Sequence, residues 1–179
     1  LLTFAKGGEP KLERLNLEQV IEESLLLSLS GSSITTKITI QTGLWDVNAD
    51  KGQISQVIDN LLINAKQAMN NTGIINIRAT HVERFISNTA EDPVTHMVKL
   101  SITDNGSGIP ENIQQTIFDP YFTTKPSGTG LGLATAYSII NRHGGHIEVE
   151  SEVGVGTTFN VYLKADQRND SFLTPYAAE

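Results

Sequence analysis

The segment from Asp50 to Met69 constrains this 179-residue chain more than any other. Asp50 offers a side-chain acceptor and Gln53 follows three residues later, the pattern of a helix-opening capping box. Ile54, Val57, Ile58, Leu61, Leu62, Ala65, Ala68 and Met69 then recur at helical spacing, keeping one face apolar through four turns. Asn70-Asn71-Thr72-Gly73 stops the run. An apolar face of that length has to be covered by another layer.

Alternating segments supply that layer. Ile34 to Gln41 alternates as a half-buried strand would, and Trp45-Asp46-Val47 reads as a second short strand after Gly43. Ile74 to Val82 and Val94 to Thr103 read as a strand pair joined by a polar link over 84–93. His146 to Ser151 and Thr157 to Leu163 read as another around Gly154-Val155-Gly156. Lys11 to Leu17 suits a short edge strand. Glu18 to Leu29 and Leu131 to Arg142 read as helices, and Ile109-Pro110-Glu111 opens a short one. Hairpin-length links dominate, so the expected fold is an α/β (α+β) two-layer sandwich, a mixed and largely antiparallel sheet covered on one face by helices.

Several classes are excluded. A net charge of −7 leaves no general basic face for nucleic acid. The absence of cysteine removes disulfides, thiolate metal sites and thiol nucleophiles. No apolar run approaches membrane-spanning length. Leu1 to Lys6 is helix-compatible and stops at Gly7-Gly8 and Pro10. The abrupt Leu1-Leu2-Thr3-Phe4 opening reads as the end of a helix in a longer protein. The expected division is 1–10 for that helix end and linker, 11–164 for the globular domain, and 165–179 for a disordered tail.

Three local patterns carry chemistry. Ser127-Gly128-Thr129-Gly130-Leu131-Gly132-Leu133 has glycine at every second position and runs straight into a helix, which is either a simple turn or a phosphate cradle. Asn60 and Asn64 share a helix face at the margin of the apolar stripe, with Gln67 on the same flank and Lys66 on the opposite one. They are boundary residues or hard oxygen ligands for Mg²⁺. Asp104, at a strand end before Gly106 and Gly108, is either a turn aspartate or an acceptor for a ligand amine.

In order, Asn60-Leu61-Leu62-Ile63-Asn64-Ala65, Asp104-Asn105-Gly106-Ser107-Gly108-Ile109-Pro110, Phe118-Asp119-Pro120-Tyr121-Phe122 and Gly128-Thr129-Gly130-Leu131-Gly132-Leu133 closely resemble the N, G1, F and G2 boxes of sensor histidine kinases. Gly154-Val155-Gly156-Thr157-Thr158-Phe159 resembles their final glycine box. The likeness covers roughly Leu12 to Leu163. It implies a Bergerat-type ATP-binding fold, in the superfamily shared with gyrase, Hsp90 and MutL, and a catalytic domain that transfers the ATP γ-phosphate to a histidine.

The resemblance implies that Asn64 binds Mg²⁺ and Asn60 the phosphates or a metal-bound water. It assigns Asp104 to the adenine amino group, supported by Thr157, with Gly106 and Gly108 flanking the ring and Ile109 beside them. Phe118 to Gly128 would form a lid contributing Thr124 and Lys125, the latter read as a phosphate contact. Gly128-Thr129-Gly130 would hinge that lid, and Gly130, Leu131, Gly132 and Leu133 would hold phosphates. Asn60, Asn64 and Lys125 would be the catalytic set.

Two departures sharpen the reading. Many family members carry Lys three residues after the metal Asn, where this chain has Gln67. The gyrase branch uses an acidic residue to activate water four before that Asn, where this chain has Asn60; Asp59 is one residue off. That favours transfer over hydrolysis. None of His81, His96, His143 and His146 lies on an N-terminal helix before an acidic residue, so the acceptor is expected upstream. Leu1 to Pro10 most resembles nitrogen-regulation-type kinases. The implied partners are an upstream dimerisation and phosphoacceptor domain in a homodimer and a response-regulator receiver domain, with no nucleic acid and no direct membrane contact. The implied location is cytoplasmic, the whole protein being compatible with a membrane anchor. The alternative is a nucleotide-binding module without transfer activity.

Overall fold

A computed structural model describes residues 8–85 and 94–169. The helix expected over Leu1 to Lys6, most of the link over 84–93, and positions 170–179 of the tail lie outside the described residues. The elements run β1 (Glu13–Leu15), α1 (Leu17–Ser28), β2 (Ser33–Ile40), β3 (Val47–Ala49), α2 (Lys51–Ala68), β4 (Thr72–Phe85), β5 (Val94–Asp104), α3 (Glu111–Gln114), α4 (Gly132–Arg142), β6 (His146–Glu152) and β7 (Gly156–Lys164). Five strands form one sheet in the order β2-β4-β5-β7-β6, and β1 pairs with β3 separately. The β2–β4 pairing is parallel and the other four are antiparallel, so the sheet is mixed and largely antiparallel, as expected.

The helical layer is organised by α2, which packs against both α1 and α4. Ile54, Val57, Ile58, Leu61, Leu62 and Ala65 are all buried. The sheet answers with inward rows set by the two-residue period of its strands: Ile75, Ile77 and Ala79 on β4, Val98, Leu100 and Ile102 on β5, and Phe159, Val161 and Leu163 on β7. Asp104 continues the β5 row and Thr157 the β7 row, and the two stand opposite each other in register. Strand alternation therefore delivers a carboxylate to the helix side of the sheet, at the edge of the core.

Three sequence expectations change. The strand expected at Trp45-Asp46-Val47 begins two residues later. Trp45 instead stacks on His81, with ring centroids 4.0 Å apart, and its backbone N–H donates to His81 Nε2 at 2.9 Å. β2 lies at the sheet edge and is mostly exposed rather than half-buried. The capping box is half made. Asp50 Oδ1 accepts from the Gln53 N–H at 3.1 Å, but Gln53 Nε2 donates to the Gly8 carbonyl rather than back to the cap.

The tail also starts later than expected. Ala165, Asp166 and Asn169 are buried, and Ala165 bridges to Val47. The Asp166 N–H donates to the Asp46 carbonyl at 2.8 Å, and Asn169 bonds both backbone groups of Asp46. Arg168 donates to both oxygens of Asp166 and holds that carboxyl down at about 2. The folded value lies below the ordinary 3.8, so this contribution is complete above pH 3.8 and is lost as pH falls through about 2. Asp166→Ala is expected to lower Tm by about 3–8 °C, the effect of losing about 1–3 kcal/mol of buried polar partnering in a domain of this size. Thermal melts at pH 7 and pH 2 check this, because the gap between variant and parent should narrow at the lower pH.

Candidate functional site

The site is a cavity of about 730 Å³ between α2, α4, the turn after β5 and the segment leading to α4. It has two chemically distinct ends along α2. At one end Asn60 Nδ2 donates to the Gly132 carbonyl at 3.0 Å, joining the middle of α2 to the start of α4. At the other, the Ser107 N–H donates to the Ala68 carbonyl at 3.2 Å, seating the Asp104–Gly108 turn on the last turn of α2.

The α4 end suits an anion. This helix opens at Leu131 with no side-chain cap and no acidic residue in its first turn. Its first N–H groups and its positive dipole end are therefore left facing the cavity, which Gly130, Gly132 and Leu133 line. Asn60 spends its amide NH₂ on Gly132, and Asn64 lines the cavity one turn further along α2. Both are hard oxygen donors of the kind that completes a Mg²⁺ shell made largely of phosphate and water.

The Asp104 end suits an amine. Asp104 is only 6% exposed, and among the described residues it is the sole acid lining the cavity. Burial lifts its carboxyl above the ordinary aspartate value, opposed by backbone N–H groups of Gly106 and Thr157. The Gly106 N–H lies 2.8 Å from Oδ1. Thr157 Oγ1 pairs with Ser151 Oγ at 2.8 Å, and Ser151 Oγ accepts from the Ile109 N–H at 2.7 Å, so the wall around the carboxylate is internally bonded. Gly108 has φ +73°, and a Cβ there would strike the Glu152 carbonyl, which requires glycine.

Asp59 points out of the site. Its carboxylate accepts from Ser28 Oγ on α1 at 2.9 Å. Lys66 reaches the Ser30 carbonyl on the α1 side as well.

The expected lid is shorter than read from sequence. The Asp119 N–H donates to the Thr116 carbonyl, and Phe118 packs 5.4 Å from Tyr137 and 6.2 Å from Phe159, so the chain around Phe118 is fixed against α4 and β7. Tyr121 and Gly130 then meet face to face. The Tyr121 N–H donates to the Gly130 carbonyl at 2.9 Å, and both residues are left-handed, at φ +66° and +68°. A Cβ on Gly130 would overlap the Tyr121 backbone. Residues 122–129 are thus a loop pinched at its base, beside the Gly128-Thr129-Gly130 segment expected to hinge it.

Within that loop, Lys125 Nζ donates to Gln67 Oε1 at 2.6 Å, at the Asp104 end of α2 rather than at the α4 end. Burial lowers its ammonium below the usual lysine value, and the Asp104 charge opposes this. The expected phosphate contact therefore sits elsewhere in this conformation. The cavity brings together Asn60, Asn64, Asp104, Gly108, Ile109, Thr124, Lys125, Gly128, Thr129, Gly130, Gly132, Leu133 and Thr157. Gly106, Phe118 and Leu131 are outside its lining: Gly106 packs on Ala68, Phe118 on the aromatic pair above, and Leu131 starts α4. Sequence reading missed the Lys125–Gln67 bond. The signal was the uncharged residue at 67 combined with a lone loop cation.

A mixed sheet backed by an amide-bearing central helix, with a buried acid at one end of the cavity and an open helix N-terminus at the other, defines a nucleotide-binding ATPase-type domain. The chain belongs to the histidine kinase-, DNA gyrase B- and HSP90-like ATPase family, whose pattern matches residues 49–167. It is 39% identical over 170 residues to the sensor kinase CckA of Brucella abortus and 38% identical over 166 residues to the sensor histidine kinase ZraS of Escherichia coli. Each alignment takes in 91% of this chain, but only 18% and 33% of those relatives' own lengths. The mycobacterial sensor histidine kinase MprB shares the fold with a TM-score of 0.72 at 25% identity, over 86% of this chain and 97% of that structure.

Because ionised Asp104 is penalised by burial, it subtracts stability once pH rises above 3.8. Asp104→Asn is expected to raise Tm at pH 7, a gain that shrinks as pH falls towards 3.8. Melting curves across that range test it.

Proposed function

We propose that this chain is the ATP-binding catalytic domain of a two-component sensor histidine kinase, which transfers the γ-phosphate of ATP to a histidine on an upstream dimerisation domain. The observation that carries the proposal is the division of one cavity into an amine-accepting end at Asp104 and an anion-accepting end at the uncapped start of α4, with Asn60 and Asn64 between them.

The residues have separate tasks. Asp104 accepts a hydrogen bond from the adenine amino group, and Thr157 and Ser151 hold that wall. Gly130, Gly132 and Leu133 offer backbone N–H groups to the phosphates. Asn64, helped by Asn60, holds Mg²⁺, which neutralises phosphate charge when bound. Transfer then depends on positioning the γ-phosphate for in-line attack by an imidazole brought from outside this chain. The position of Asp59 favours transfer over hydrolysis, because its carboxylate is committed to Ser28 and the cavity offers no other acid near the amide end among the described residues. The partners would be the acceptor helices within a homodimer and a response-regulator receiver domain. Among the described residues no helix is long and apolar enough to cross a membrane.

Mg²⁺-dependent binding of a fluorescent ATP analogue should be lost in Asn64→Ala. In Asp104→Asn it should weaken by about 10- to 100-fold, the worth of a charge-assisted hydrogen bond at about 1.5–3 kcal/mol. Incubation of the full-length protein with γ-labelled ATP should yield acid-labile, alkali-stable label on an upstream histidine. Unchanged affinity in both variants overturns the nucleotide assignment. Nucleotide binding without phosphohistidine leaves a binding module in place of a kinase.

A further inference from the structure

The two helices that flank the cavity are tied at a second place, far from it. α4 starts beside Asn60 and ends beside the first residue before α2, so the helices run antiparallel. At the distant end His143, 6% exposed, closes α4. Its Nδ1 lies 2.7 Å from the Ile139 carbonyl, and its Nε2 lies 3.1 Å from the Asp50 backbone N–H. A carbonyl only accepts and an amide N–H only donates, so both ring roles are determined: Nδ1 carries the proton and Nε2 accepts. One imidazole thus joins the C-terminus of α4 to the N-cap of α2.

The incoming chain reinforces this joint. The Gly8 carbonyl accepts from Gln53 Nε2 on α2 at 3.2 Å and from the Arg142 guanidinium on α4 at 3.0 Å. The Lys11 N–H donates to Asp50 Oδ2 at 2.9 Å. The near tie, Asn60 to Gly132, is made by a residue that lines the cavity, whereas none of the residues of the far joint lines it. The distance between the ties is about 16 Å of helix, long enough for a loosened far end to swing the start of α4 relative to Asn60 and Asn64.

We propose that His143 is a positioning residue for the phosphate end of the site: it holds α4 and α2 in register so that the α4 N–H groups and the two asparagines converge on one phosphate chain. The inference rests on the nucleotide-binding reading above. It does not involve the Asp104 end, which is carried by β5, and this separates positioning from general loss of structure.

The test measures ATP and adenosine affinity for the full-length protein by calorimetry, with Tm for each variant. His143→Ala should weaken ATP binding by about tenfold or more, the scale of effect that a small misplacement produces, and leave adenosine affinity unchanged. His143→Gln places an acceptor within reach of the Asp50 N–H and should recover most of the ATP affinity. His143→Asn is too short to reach it and should not. If His143→Ala fails to fold, Gln53→Met, which cuts the parallel tie to Gly8, carries the same expectation of an ATP-selective loss. Equal losses for ATP and adenosine, or ATP affinities that follow Tm in all variants, overturn the proposal. Failure of the parent protein to bind either ligand overturns the nucleotide reading itself.

Discussion

Burial of the α2 stripe is the term on which the rest depends. Ile54, Ile58, Leu61 and Leu62 are each about 1% exposed or less, and each contributes about 1.5–3 kcal/mol on leaving water. The stripe holds α2 against the sheet with α1 and α4 on its flanks, and that placement fixes where the residues just off the stripe can point. Asn60 and Asn64 cannot retreat from the cavity without dragging aliphatic side chains out of the core. Asp104 is held in the opposite sense, by sheet alternation that gives a carboxylate no exit to solvent. The core thus supports a site whose own groups are costly to bury.

The two ends of the cavity answer different demands. The α4 end relies on backbone groups and an unneutralised helix dipole, which favour negative charge without placing a cation there. The Asp104 end relies on one desolvated acid whose remaining acceptor capacity is useful only to a donor of the right shape. Lys125 sits at the Asp104 end, bonded to Gln67 and within the field of Asp104. In an acidic chain this arrangement keeps local attraction for an anion from depending on overall charge.

Much of this was legible in the sequence, for a definite reason. The amide pair, the acid before two glycines and the alternating glycines are short-range patterns, and helix and strand periods convert short spacings directly into shared faces. The β2–β4 parallel pairing could not be located from sequence, because it depends on α2 crossing between the strands. Contacts between distant positions were invisible. Nothing in the spacing of Gly8, Gln53 and Arg142 reveals that one carbonyl joins them, nor that Ala165 to Asn169 returns to Asp46. Trp45 read as a strand residue because aromatic residues favour strands, and the competing stack on His81 prevailed. Phe118 read as the first residue of the lid through family likeness, and its packing against Tyr137 and Phe159 fixes it to α4 and β7.

The Tyr121–Gly130 contact has a consequence for how this domain tolerates change. A loop whose two ends are already joined adds little to the cost of folding when it lengthens, since doubling its length costs only about 0.6 kcal/mol in closure entropy. The segment from 123 to 129, beyond Phe122 and its packing on the core, is therefore separable from the frame that carries it. Changes there would leave the walls on α2, α4 and β5 in place while altering the part of the lining that Thr124, Lys125, Gly128 and Thr129 supply. The pinch divides the chain into a part bound by packing and a part open to variation.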